Sequence, residues 1–592
     1  MLPEQQSFPE CYRLGDFTQR RFIAMARKFW FLAALIGLTS HCWAAGGSCP
    51  AGANYLNTTN PAGALVTLAS LGINSCYFIA ANGSDSNSGT SVSTPWLHAP
   101  GMPSCSGNCA ANTPAAGVGY IFRGGDTWHF GASTSPSVGG SWGWNWSGSS
   151  QTSPIYIGVD QTWYSGSSWA RPILNADNGT NACPGAGPCS VSSCAYAAIG
   201  GSYNQMVEFP GQAWNIFDNF EFTGFCWNNS PQFGANVMLG YNGGSGNSPY
   251  YFVAENNYFH GWTHTSGGTQ NGAYCMVGND NYVGSVLQFN VVDGSDSDDL
   301  SMNPFGTSDG YIIAYNDIRH LTGDSVLTGC HYIHDNIFEY MQFETDGSGH
   351  GDTLFCEAEY AGGASNPNIF YNNIWRYIGT EYNQSISYLL DAATPSGQTD
   401  YMFNNILHDN QPSSSSNYIS DENTAGSWVL FNNTGSLANS GAGCLICSGS
   451  TKVTAVNNNW ITSGGESSIF KTTSSVTETM PVYLTPTTAT SQGYTSSNDY
   501  APTLSTNTTV QTTGTTENSG YCADSVLHYA LAESACLNGT TKGCAYNTSS
   551  HSLSCPALPA DARQSAWNVG AYQFGSGSAA PAPPTNVVAT AH

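Results

Sequence analysis

The sequence predicts an all-β chain wound as a parallel β-helix, a solenoid with asparagine-ladder corners and disulfide-rich loops, and three observations carry that expectation. A strand–asparagine–strand pattern returns nine times between Phe217 and Trp460. Each run alternates apolar and polar residues at period two, and none has the helical period. Aromatic residues make up 12% of the chain and charged residues only 9%, which suits a long stacked core and not a disordered chain.

The N-terminus reads as an export signal. Met25-Ala26-Arg27-Lys28 is a basic head, Phe29 to Leu38 an apolar stretch and Cys42-Trp43-Ala44 a cleavage site, so 1–44 is expected to be a signal peptide preceded by an over-called extension. The apolar stretch is too short to span a bilayer, and no later segment reaches the roughly 20 apolar residues of a helical span. A lipid on Cys42 is disfavoured by His41 before it. The expected product is a secreted, soluble monomer without a transmembrane segment. Cutting after Ala44 removes five basic and three acidic residues, leaving 8 against 36 and a net charge of −28. Such a surface repels phosphate backbones and excludes nucleic acid as a partner. Polyanionic sugars are repelled too, unless a metal bridges two carboxylates.

Of the 19 cysteines, 17 follow the cut, clustered as Cys105/Cys109, Cys183/Cys189/Cys194, Cys444/Cys447 and Cys522/Cys536/Cys544/Cys555. Local disulfides are expected there in an exported protein. The odd total implies a free thiol, expected among Cys226, Cys275, Cys330 and Cys356. Zinc at Cys444 and Cys447 is disfavoured because no second ligand pair accompanies them.

The repeated asparagines are Asn219, Asn257, Asn290, Asn316, Asn336, Asn373, Asn405, Asn433 and Asn458, 20 to 38 residues apart. That spacing matches one solenoid coil plus a loop of variable length. Asn tolerates left-handed backbone and can bond its counterpart in the next coil, so the asparagines are expected at stacked corners. Ordinary hairpin turns would favour Asn-Gly, and none of these nine is followed by Gly.

Periodicity does not give handedness, but resemblance does. FIAANGSDSNSGTSVSTPW at Phe78 to Trp96, YIFRGGDTW at Tyr120 to Trp128 and WNVGAYQF at Trp567 to Phe574 resemble the opening and closing segments of secreted right-handed β-helix proteins of the pectin-lyase-like superfamily. The resemblance implies a right-handed coil over roughly Ser75 to Phe574. It does not specify a substrate, since the superfamily holds lyases, glycosidases, epimerases and adhesins. The organisation expected is an N-terminal capping segment at 45–130, the β-helix at 131–574 and a Gly/Ser/Pro-rich linker at 575–592. The end of that linker resembles the first strand of a fibronectin type III module. Cys522 to Cys555 are expected to cap the open end of the solenoid.

Stacked coils place equivalent residues about 4.8 Å apart, so functional groups should form columns. Asp299, Asp324 and Asp352 each lead into an apolar alternation and form one candidate column of catalytic carboxylates, with His350 beside them. Close carboxylates suit a retaining glycosidase and more distant ones an inverting enzyme. Calcium is the other option, with Asp298 and Asp346 as candidate ligands. Asp298-Asp299 and Gly349-His350-Gly351 resemble the paired aspartates and the Gly-His-Gly of polygalacturonases, although the Arg-Ile-Lys motif of that family has no counterpart here.

A second column follows the corner by three residues and holds His260, Asp293, Arg319, Glu339, Arg376 and His408. Arg319 is a candidate substrate contact in it. Trp142, Trp144 and Trp146 would present three indoles on one face as a sugar platform, while Trp262, Tyr340, Trp375 and Tyr377 stand near coil edges. The reading is a secreted protein that cleaves a polysaccharide, by hydrolysis because basic residues are so few. The alternatives are a calcium-assisted polysaccharide lyase and a non-enzymatic adhesin or matrix protein.

Overall fold

Three parallel sheets form the walls of a right-handed β-helix. The structure is a computed structural model that describes residues 46–50 and, apart from several loops, 67–573. The first sheet has 13 strands, from Ser75–Ile79 to Ser475–Thr479, and the second has 12, from Thr127–His129 to Val482–Leu484. The third has nine, from Trp142–Gly143 to Ile419–Asp421. One coil runs through Ile312–Ala314 in the first sheet, Asp317–Arg319 in the second and Val326–Leu327 in the third, then returns to Tyr332–His334 beside its starting strand. Parallel strands joined in this way take the right-handed crossover.

Strand pairing stacks one inward residue per coil. In the second sheet Phe222, Phe259, Val292, Ile318, Phe338, Trp375 and Leu407 follow one another in register, and each is at most 1% exposed. The rings of Phe222 and Phe259 stack at 4.8 Å. Such a core grows by addition of coils, so each strand can be as short as three residues and still be buried.

The first corner holds the expected ladder in eight of its nine members. The side-chain amide of each asparagine donates to Oδ1 of the next, from Asn257 to Asn290 at 3.2 Å through Asn316 to Asn336 at 2.9 Å to Asn433 to Asn458 at 3.0 Å. The same oxygens accept a backbone N–H, as Asn336 does from Asn316. Asn219 is the exception. It takes the corner position one residue earlier, and Phe220 stands at the ladder position, donating its N–H to Asn257 Oδ1. The left-handed residue is therefore the one before each ladder asparagine and not the asparagine itself: Asn256, Phe289, Tyr315 and Asp335 have φ between 54° and 58°. Bulky residues adopt this unfavourable backbone because their outward rings gain partners, as Phe289 and Tyr315 do by stacking at 4.9 Å.

The segment after the last coil lies along the outside of this corner and not at the open end. Thr515 bonds Asn457, Ala535 and Asn538 accept from Asn404, Tyr332 donates to the Leu527 carbonyl and Arg171 to that of His551. Its helix Ala530–Cys536 covers the aromatic stack Tyr371, Phe403 and Phe431 of the first sheet. It then returns through Trp567 to Tyr572, where Ala571 N–H bonds Thr434 Oγ1.

The described disulfides are Cys49–Cys76, Cys105–Cys109, Cys330–Cys356, Cys522–Cys536 and Cys544–Cys555. Cys330 and Cys356, candidates for a free thiol, are thus bonded, since successive coils bring them together across 26 residues. Cys183, Cys189, Cys194, Cys444 and Cys447 lie outside the described residues, as do 1–44 and 575–592. Among the described residues no helix is long and apolar enough to cross a membrane.

Candidate functional site

The three walls of the coil are not equivalent. From Glu255 to Asn459 the first sheet passes to the second through two residues in every coil. The link from the second to the third is six residues between Arg319 and Val326, 14 between Glu339 and Leu354 and 13 between Arg376 and Leu390. Loops of variable length on a rigid wall are where binding residues collect, so the third sheet is the candidate functional face.

The second sheet carries the charged column that the spacing predicts. Asp293, Arg319, Glu339, Arg376 and His408 pair in register on five successive coils. Arg319 donates to Asp317 at 2.7 and 2.9 Å and meets Glu339, and its guanidinium lies 4.4 Å from the Tyr546 ring centre. Arg376 bonds Glu339 at 2.6 Å and Asp499 at 2.7 Å, and His408 reaches Asp499 at 3.2 Å. Burial would raise the Asp499 carboxyl, but His408 and Arg376 outweigh it and hold the group down to about 2. Arg319 is 9% exposed and fully committed to these partners, which corrects its expected role as a substrate contact.

At the lower end of the column, His260 bonds Asp296 at 2.8 Å through one ring nitrogen and Glu221 at 3.1 Å through the other. Burial would lower the imidazole, but the two carboxylates override it and lift it to about 9. Tyr258 stacks between His260 at 4.2 Å and His551 at 4.3 Å. Tyr546 donates to Asp293 and bonds His551 at 2.6 Å. Burial and the nearby His260 push the His551 imidazole down. Charge and hydrogen bonding here are internally balanced, so this network braces the C-terminal segment against the coils.

Different chemistry occupies the third sheet. Val207, Leu239, Val277, Leu354, Leu390 and Ile419 point into the core. The next position on each strand reads Gly143, Glu208, Gly240, Gly278, Gly306, Leu327, Phe355, Asp391 and Ser420 in register; Gly143 and Glu208 are half-buried there, whereas Gly240 and Asp391 are buried. Glu208 is half-buried and its carboxyl makes no hydrogen bond or ion pair among the described residues. Burial alone raises its pKa. Among the described residues a Cβ placed on Gly143, one coil below, would meet only the Asn145 amide at 3.8 Å. The strand is fixed: Glu208 O accepts the Trp144 N–H at 2.7 Å, and Val207 and Phe209 are buried on either side.

Asp298, Asp299, Asp324, Asp346 and His350 lie outside the described residues. Asp352 is described and fully buried, two residues before the strand Leu354–Cys356 begins. In sequence, Asp324 precedes Val326 by two residues and Asp352 precedes Leu354 by two, and those strand residues pair. Asp299 precedes Phe305, the partner of Val326, by six. Trp142 and Trp144 are fully buried in the core, which corrects the three-indole platform. Trp142 Nε1 donates to Pro100 O and Trp144 Nε1 to Asn215, so their faces are spent on packing and only Trp146 is half-exposed. Of the edge aromatics, Trp262 and Trp375 are buried, whereas Tyr340 and Tyr377 stack at 5.2 Å on the outside. Glu208 gave no signal in sequence because it belongs to no asparagine repeat, and Tyr546, His551 and Asp499 are far from the column they join.

Among the described residues no group of three His, Cys, Asp or Glu side chains is arranged to hold a metal ion. No family model matches the sequence. No curated protein matches it either. Solved structures similar in shape include pectate lyase Pel9A, with 13% identity, a TM-score of 0.41 and coverage of 84% of this chain and 96% of that one. The GH136 lacto-N-biosidase from Eubacterium ramulus has 11% identity and a TM-score of 0.40, covering 69% of this chain and 68% of that one. A rhamnogalacturonan lyase has 11% identity and a TM-score of 0.34, covering 69% and 87%.

Proposed function

We propose that this chain binds a polysaccharide along the outer face of the third sheet and cleaves it by hydrolysis outside the cell. The observation that carries this reading is the Gly143–Glu208–Gly240 column, in which a half-buried carboxyl, unpaired among the described residues, stands on a strand between two residues without side chains. A glycosidic bond needs a proton donor within hydrogen-bond reach and backbone that lets a bulky ring approach. Trp146, half-exposed and three residues beyond Gly143 in the chain, is the proposed ring contact. Asp299 and Asp324 precede strands three and four coils from that of Glu208, too far along the axis for a carboxylate pair, and are proposed to contact the polymer further along the same sheet, with His350 beside them. Asp298 and Asp346 remain proposed calcium ligands. Asp352, being fully buried, fits a supporting place better than proton transfer. The five disulfides among the described residues support an oxidising, extracellular setting.

An uncharged polymer fits better than a polyuronate. Elimination beside a uronate carboxylate needs a cation to neutralise it; every described arginine is already engaged, and the one described lysine, Lys452, lies on the first sheet and not the third. Arg123 pairs with Asp126, Arg319 with Asp317 and Arg376 with Glu339, while Arg171 and Arg563 donate mainly to backbone carbonyls. The net charge of −26 opposes a polyanion further.

The test is incubation of the purified protein with β-glucan, xylan, mannan and galactan, and with polygalacturonate and alginate, each with and without chelator. New reducing ends from an uncharged polymer, without the ultraviolet absorbance of an unsaturated product, are expected. Unsaturated products would establish a lyase instead, and retention of polymer without cleavage would establish an adhesin.

A further inference from the structure

We infer that Glu208 is the general acid of this centre, an assignment that rests on the hydrolytic reading above and gives it a residue. The described carboxylates of the second sheet are held by partners: Glu221 and Asp296 by His260, Glu339 by Arg319 and Arg376, and Asp499 by Arg376 and His408. Buried Asp218 and Asp400 are likewise saturated, by Tyr156 and Asn256 and by Gln398, Thr394 and Asn368. Glu208 differs in lacking all such contacts among the described residues while being half-buried on a strand whose neighbours Val207 and Phe209 are locked in the core.

Two properties follow. A carboxyl desolvated without a compensating cation keeps its proton to higher pH than a free glutamate, the direction of shift that suits a proton donor. In register Glu208 is flanked by Gly143 and Gly240, and the Gly143 side, where the backbone is half-exposed, is the side from which a chain lying on the sheet would approach it. In the step, the Glu208 proton passes to the glycosidic oxygen as the bond from that oxygen to the anomeric carbon breaks. Water attacks the anomeric carbon and loses one proton to solvent, and solvent returns a proton to Glu208, so that one water is consumed for each bond broken.

The test compares wild type with Glu208→Gln on a cleaved polymer and on aryl glycosides of the same sugar carrying leaving groups of graded acidity. Loss of a general acid is expected to lower polymer cleavage by about 10²–10⁴-fold. Cleavage of the glycoside with the most acidic leaving group should be nearly spared, since that bond breaks without protonation, and the alkaline limb of the pH profile should vanish. Equal loss on all substrates, or full polymer activity in Glu208→Gln, would overturn the assignment while leaving hydrolysis intact. Wild type inactive on every polymer would overturn the hydrolytic reading and this assignment with it. Infrared difference spectra of wild type against Glu208→Gln give a readout independent of activity. A carboxyl band titrating above the ordinary glutamate range supports the role, and one titrating at or below it contradicts the role.

Discussion

Arg376 donates to Glu339 at 2.6 Å although 37 residues separate them, because the two occupy the same position on successive coils. Glu339 also meets Arg319 from the coil below, so one buried carboxylate holds two guanidinium groups. Glu339→Ala is expected to cost roughly 3–5 kcal/mol, because it strands cations that remain largely buried. Urea denaturation should show the midpoint falling with an unchanged slope.

Asn316→Ala breaks the ladder at its middle. The Asn290 amide and backbone N–H lose their shared acceptor, Asn316 Oδ1. The expected loss is about 1–3 kcal/mol for each donor left buried and unbonded. Asn219→Ala, at the coil where Phe220 stands in the ladder, should cost less. Thermal unfolding of the two variants side by side decides this.

The pH dependence has a definite sign on each side. His260 rises from 6.5 to about 9 in the folded chain, so its contribution is fully present below 6.5 and is lost as pH rises through about 9. His260→Gln should flatten the alkaline fall in stability. Asp499 drops from 3.8 to about 2, so its contribution is present above 3.8 and is lost as pH falls through about 2. Asp499→Asn should flatten the acid side. Urea midpoints across the pH range measure both.

Two tryptophans from one short motif should behave oppositely. Trp142→Ala removes a fully buried ring and is expected to cost roughly 3–5 kcal/mol of stability. Trp146→Ala should leave the unfolding midpoint nearly unchanged and weaken retention in affinity electrophoresis through an uncharged polysaccharide.

Cys544–Cys555 closes the hairpin that presents Tyr546 and His551 to the second sheet. Replacing both cysteines by serine should speed proteolytic nicking between Ala545 and Ser554. Cleavage of polysaccharide should be unchanged, because the third sheet lies on another wall.

Much of this was legible in the sequence wherever a local rule repeats. The two-residue corner recurs without insertion, so the asparagine ladder and the Asp293–Arg319–Glu339–Arg376–His408 column could be read by counting. Counting failed at the third sheet, where links of six to 14 residues erase a fixed offset, so Asp299 and Asp324 could not be placed in common register with Asp352. Period two put the indoles of Trp142, Trp144 and Trp146 on one face, but it does not say which face meets the core. Glu208 was invisible for a different reason: its distinguishing feature is the glycine on the coil above and below, a relation across 65 and 32 residues that only the pairing of strands reveals.

A structure of the protein soaked with an oligosaccharide from the polymer it cleaves tests the central claim most directly. Sugar rings lying along the Gly143–Glu208–Gly240 column, with a glycosidic oxygen within hydrogen-bond reach of the Glu208 carboxyl, are expected. Rings bound on another wall, with the Glu208 carboxyl facing only solvent, would contradict it.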